Sequence, residues 1–180
     1  MSFSNIYFIL HKPQLSENIG ACARALKNFN FRNLILINAK VSYPNDKVLA
    51  TSVGAKDVIK KSKTFEKLEP ALKKIDYLIA TTSRFRNKNI KHINIKDLSK
   101  IDFNKNIGFL FGSEASGLSN EEISYANCVL QIPTNPKFKS LNLSHSLIII
   151  CQLVASILRS KTSKYSKSNK IKIASKADIQ

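Results

Sequence analysis

The chain has 180 residues, 43% of them hydrophobic, and carries 29 Lys and Arg against 12 Asp and Glu, a formal charge of +17. That length and apolar share exclude a wholly disordered chain and suit one domain with a real core. The charge points to a polyanionic partner, nucleic acid before an anionic membrane, although Lys supplies 24 of the 29 basic residues and biased composition is the bland account.

The amino terminus, MSFSNIYFIL, has neither a basic leader nor a long apolar run, so no signal peptide is expected. Apolar runs then predict strands at 6–10, 33–37, 76–82, 107–111 and 128–132. They are continuous rather than alternating, as in sheets covered on both faces. Helical periodicity predicts helices at 16–29, 65–74, 120–126 and 141–158, with shorter pieces around 46–61 and 94–99. Strands alternating with helices predict an α/β domain with a mainly parallel sheet. Ser119 and Glu122 form a capping box that starts the helix at Asn120. The apolar run 141–158 has the length of a membrane span, but Asn142, Ser144, His145, Ser146 and Gln152 interrupt it, and it reads as a buried core helix. Domain organisation follows: one folded domain over 1–158 and a basic tail over 159–180, where Arg159 and six lysines face one aspartate.

Three cysteines, Cys22, Cys128 and Cys151, lie far apart and none forms a CxxC pair, which fits a reducing, cytoplasmic setting and argues against a zinc or disulfide framework. No metal is expected.

Three segments carry candidate chemistry. In SENIGACARALKNF, the residues Ile19, Cys22, Leu26 and Phe29 make one helical stripe. Arg24 points almost opposite, on a face shared with Glu17, Gly20, Ala21 and Asn28. Small residues around one Arg suggest close approach by another surface. In IGFLFGSEASGLSNEE, Gly112 and Gly117 copy the P-loop spacing, but Leu118 stands where the phosphate-binding Lys belongs and Glu114 would repel a triphosphate. GxGxxG is absent as well. What remains is a glycine-containing loop at a strand's carboxyl end, where open α/β sheets bind ligands. In IPTNPKFKSLNLSHSL, Pro133 and Pro136 stiffen a loop running directly into the helix, capped by Ser140 or Asn142.

In this order the three segments resemble the motifs of the TrmH-like branch of the SPOUT methyltransferases. The stretches SVGAKDVI and LIATTSRFRN are similar to its tRNA-directed TrmJ group. The resemblance covers about residues 5–158. It implies an α/β fold with a carboxyl-terminal trefoil knot, a homodimer with the active site at the subunit interface, and transfer of a methyl group from S-adenosylmethionine (SAM) to an RNA ribose 2′-hydroxyl. It further implies a SAM pocket at Thr81, Thr82 and Ser83, at Leu110 and Gly112, at Ile132, and at Lys139, Ser140 and Leu141. Arg24 matches the family's essential Arg. Asn18, Glu114 and Asn142 match its other recurring polar positions, and with Arg24 they form the catalytic set. Because guanidinium groups stay protonated at neutral pH, Arg24 is read as a clamp on an RNA phosphate rather than as a base.

One departure is Ser113, where many relatives carry Arg. The basic loop with Arg84, Arg86, Lys88 and Lys91, and with Phe85 for stacking, is a candidate replacement RNA contact. The expected activity is tRNA 2′-O-methylation in the anticodon loop. Ribosomal RNA methylation and a non-catalytic RNA-binding module are the alternatives, and a membrane-surface protein a more distant one.

Overall fold

The computed structural model describes residues 3–83 and 90–162. Seven strands run in chain order as β1 (Ile6–His11), β2 (Asn33–Ile37), β3 (Lys63–Phe65), β4 (Tyr77–Thr81), β5 (His92–Ile93), β6 (Ile107–Phe111) and β7 (Cys128–Leu130). They form one sheet in the order β3-β2-β1-β6-β4-β7-β5, and every pairing is parallel. The α/β expectation holds.

Apolar strands bury alternate residues on opposite faces. Phe8, Leu36, Ile79, Phe109 and Leu130 enter one core. Ile9, Ile35, Leu78, Leu110 and Val129 enter the other. The first core is covered by α1 (Ser16–Asn28), α2 (Asp46–Thr51), α3 (Lys56–Lys61), the 3-10 helix Ile95–Lys100 and α6 (Leu143–Thr162). The second, smaller core lies under α4 (Leu68–Leu72) and α5 (Asn120–Ser124). Phe8 anchors the first core, with its ring 5.1 Å from that of Phe31 and 5.6 Å from that of Phe109.

Several expectations need correction. Residues 63–65 are a strand, so the helix expected from 65 starts only at Leu68. β3 is a short edge strand of polar composition, KTF, and such strands lack the apolar run by which buried ones are recognised. β5 has two residues and was likewise invisible. Gly20 is small because of its own chain, not an outside surface. A Cβ there would lie 2.5 Å from the Val48 carbonyl oxygen and overlap the Thr51 side chain, so the glycine lets α2 pack on α1. Finally, α6 starts at Leu143 and continues through Thr162, so Arg159–Lys161 are helical. It is not a fully buried helix. Leu147, Ile150, Cys151, Val154 and Ala155 are buried, while His145, Gln152 and Ser156 lie exposed. Its length and composition would suffice to cross a membrane, but here one stripe packs on α1 and His145, Gln152 and Ser156 face away from it. Residues 163–180 lie outside the described residues.

Candidate active site

The strand order reverses beside β1, between the branch running to β3 and the branch running to β5. Ligand crevices in open α/β sheets lie at such a switch point, outside the carboxyl ends of the strands. A cleft lies next to that point, at the carboxyl ends of the neighbouring strands β6, β4 and β7, and is lined by the segments that follow them.

Local chemistry shapes each wall. After β4, the Thr81 hydroxyl donates to the Leu110 carbonyl (3.0 Å), and the Thr82 amide donates to the Leu130 carbonyl (3.2 Å). The Ser83 carbonyl accepts from Gln131 Nε2 at 3.3 Å. After β6 the chain turns back, with the Gly117 amide donating to the Ser113 carbonyl (2.9 Å) and the two hydroxyls of Ser113 and Ser116 2.8 Å apart. Gly117 has φ +67°, which glycine adopts freely. A Cβ on Gly112 would overlap the Gly117–Leu118 backbone, so this turn closes only over glycine. After β7, Pro136 sits in a turn in which the Phe138 amide donates to the Asn135 carbonyl (2.9 Å).

Thr81, Thr82, Ser83, Gly112, Ile132, Lys139, Ser140 and Leu141 all line this cleft. Leu110 does not. Its side chain is fully buried in the second core, and it meets the cleft wall only through the carbonyl that holds Thr81. Sequence reasoning missed Phe111, Leu118, Leu143 and Ser146, which also line the cleft. Leu143 and Ser146 lie one turn apart at the start of α6, a spacing that could have placed them together.

The catalytic set divides. Glu114 accepts from the Gln14 amide on Oε2 (2.8 Å), and from the Leu15 amide (3.2 Å) and Asn18 Nδ2 (2.9 Å) on Oε1. Asn18 Oδ1 then accepts from Asn142 Nδ2 at 3.0 Å. Asn142 Oδ1 accepts from the Ser144 amide (2.8 Å) and the His145 amide (3.4 Å), which makes Asn142, not Ser140, the cap of α6. One hydrogen-bonded chain thus joins the start of α1, the loop after β6 and the start of α6. Arg24 is outside it. It lies exposed on α1, does not line the cleft, and makes no hydrogen bond or ion pair among the described residues.

A second carboxylate lies behind the cleft. Glu122 Oε1 accepts from Lys12 Nζ (2.8 Å) and lies 3.1 Å from His11 Nδ1. Its Oε2 accepts from the Ser119 amide (2.7 Å), completing the expected capping box. Burial opposes the charge, but Lys12, the Ser119 amide and His11 together hold the Glu122 carboxyl below the usual range. Burial also pushes the His11 imidazole down from 6.5, against a partial pull upward from Glu122.

Arg84, Arg86, Lys88 and Phe85 lie outside the described residues. Lys91 lines a different cavity with Tyr77 and Ile107, at the amino-terminal ends of β4 and β6, and so stands away from the cleft. Among the described residues, no group of three or more His, Cys, Asp or Glu is placed to hold a metal.

Comparison with known proteins fits this geometry. The chain is 34% identical over 150 residues to the tRNA (cytidine-2′-O-)-methyltransferase TrmJ of Methanocaldococcus jannaschii, a match that covers 81% of this chain and 65% of that protein, just under two thirds of its length. The crystal structure of TrmJ from Z. mobilis ZM4 superposes with a TM-score of 0.78 at 29% identity, covering 83% of this chain and 67% of that one. The SpoU methyltransferase AviRb from Streptomyces viridochromogenes, solved with its cofactor AdoMet, shares the fold with a TM-score of 0.65 at 18% identity, covering 86% of this chain and 60% of that one. Residues 5–152, which include the cleft and the chain of hydrogen bonds across it, match the model of the SpoU rRNA Methylase family, and the chain belongs to that family.

Proposed function

We propose that this protein is a SAM-dependent RNA ribose 2′-O-methyltransferase that acts on tRNA, in the anticodon loop. The observation that carries the reading is the cleft: eight residues expected to hold SAM, drawn from three distant segments, line one crevice at the carboxyl ends of β4, β6 and β7. The donor set suits the cofactor. Leu118, Ile132 and Leu141 offer apolar surface for a flat base, while the hydroxyls of Ser83 and Ser140 stand nearby for polar edges. When bound, SAM would supply a methyl group activated by its sulfonium.

The chain's own residues would position the RNA. Arg24 would clamp a phosphate beside the target ribose in a fork of charged hydrogen bonds. Aligning the hydroxyl with the methyl group can lower the barrier by roughly 7–11 kcal/mol at best. Glu114 is a poor base, because both its oxygens already accept hydrogen bonds that hold α1 in place. Water or an RNA phosphate oxygen would take the hydroxyl proton. Asn18, Glu114 and Asn142 are positioning residues in this scheme. Arg24 lies away from its own chain's cleft, which favours a homodimer in which each cleft is completed by the other copy. We further place the protein in the cytoplasm, as one catalytic domain with a basic carboxyl-terminal extension.

The test is methyl transfer from labelled SAM to unmodified tRNA and to ribosomal RNA, with the product nucleotide mapped by mass spectrometry. A 2′-O-methyl in the anticodon loop is expected. Label only in ribosomal RNA would move the substrate, and absence of SAM binding would overturn the enzymatic reading. Arg24→Ala should lose methyl transfer while SAM affinity is unchanged.

A further inference from the structure

Phe138 is 76% exposed, more than any other large hydrophobic side chain among the described residues. Burying a phenyl ring is favourable, so leaving one in water forgoes that stabilisation. The ring is not displayed by a slack loop. The Phe138 amide donates to the Asn135 carbonyl, the Lys137 amide donates to Asn135 Oδ1 at 2.9 Å, and Pro136 sets the turn between them. The Thr134 hydroxyl reaches the Lys139 carbonyl at 3.4 Å and closes the base of the loop. The ring is therefore presented at small further entropic cost.

Its surroundings indicate an occupant. Lys137 and Lys139 flank it and are both exposed, and Lys139 also lines the cleft. No Asp or Glu occurs between Glu122 and Asp178, so nothing in this stretch of chain neutralises the two cations. An aromatic face between two cations, at the rim of a cleft, matches one chemistry above others: an unstacked base of single-stranded RNA with a phosphate on either side.

We propose that Phe138 is a stacking platform for a nucleobase of the RNA substrate, next to the ribose presented to the cleft, with Lys137 and Lys139 engaging its flanking phosphates. This rests on the RNA methyltransferase reading and adds a substrate-contacting residue to it. Every base has a π-face, so the platform contributes affinity without base identity.

The test uses the full chain and an RNA hairpin with 2-aminopurine in a single-stranded loop, whose fluorescence is quenched on stacking. Phe138→Ala and Phe138→Leu should weaken RNA binding by about 10- to 100-fold and abolish the quench. Phe138→Trp should keep both, and SAM affinity and sedimentation should match wild type in all three. Wild-type methylation together with undiminished RNA binding by Phe138→Ala would overturn the platform and leave the enzymatic reading standing. RNA binding and quenching that need Phe138, without methyl transfer, would uphold the platform and remove the enzyme. A parallel loss of SAM affinity, or a change in oligomeric state, would overturn it in favour of a cofactor cover or a subunit contact. Binding to anionic vesicles but not to the hairpin would overturn it in favour of a membrane contact.

Discussion

Two glutamates eight positions apart do the same mechanical work on different sides of one loop. Glu114 ties the segment between β1 and α1 to the loop after β6, and Glu122 ties the carboxyl end of β1 to α5. Glu114 does so at the cleft, through the amides of Gln14 and Leu15 and the Asn18 side chain. Glu122 does so behind it, through Lys12, His11 and its own helix cap. The first is partly exposed and sets where α1 stands relative to the cleft. The second is 8% exposed and holds its helix to the carboxyl end of β1. A carboxylate beside a cleft is therefore not by itself a catalytic group. What its oxygens touch decides whether it positions, stabilises or reacts.

Substitutions should separate the two roles. Glu114→Ala should produce the largest effect, a loss of methyl transfer of about 100-fold, because small misplacements of reacting groups cost that much. Its stability should fall by only about 1 kcal/mol, since the freed amides reach water. Paired steady-state kinetics and urea melts would check it, and a large stability loss with normal turnover of the folded fraction would erase the contrast. Glu122→Ala should invert the pattern, with unfolding free energy falling by about 1–3 kcal/mol and turnover at saturating substrate near wild type.

Asn18→Ala should come next, with a loss of activity smaller than that of Glu114→Ala. The double variant should be no worse than Glu114→Ala alone, because both substitutions break one chain of bonds. Full additivity would mean that Asn18 acts independently.

The smallest expected effect is on acid stability. The folded-state values of His11 and Glu122 are both lowered, so the unfolded chain takes up these protons first. Stability should be complete above pH 6.5. It should decline as pH falls from 6.5 through the folded value of His11, and again as pH falls from 4.5 through that of Glu122. Thermal melts from pH 7.5 down to about 3 would show this, and Glu122→Ala should flatten the lower part of the decline. A melting temperature that rises on acidification would contradict the assignment of the cluster.

Much of the scaffold was legible because it depends on local pattern. β2 and β6 match their predicted bounds, since apolar runs flanked by turns leave little choice of register. The box at Ser119 and Glu122 formed as read, because its partners are three residues apart. The edge strand β3 was not legible, since its three residues are polar or only partly buried and pairing comes from its neighbour β2. The reason for Gly20 was also misread. A helical wheel shows that a face is small but not whether α2 of the same chain or another surface fills it.

The sequence by itself therefore determined the five apolar strands, most helices, the α/β class and the segments that carry the family motifs, all of which depend on residues near one another in the chain. Only the tertiary structure decided what those segments do to each other. The Gln14 amide and the Glu114 carboxylate that holds it are 100 positions apart, and the Asn18–Asn142 bond spans 124. Contacts at that separation leave no local period. They arise from the order in which the parallel strands pack, and that order turned three expected catalytic side chains into one brace while leaving Arg24 outside it.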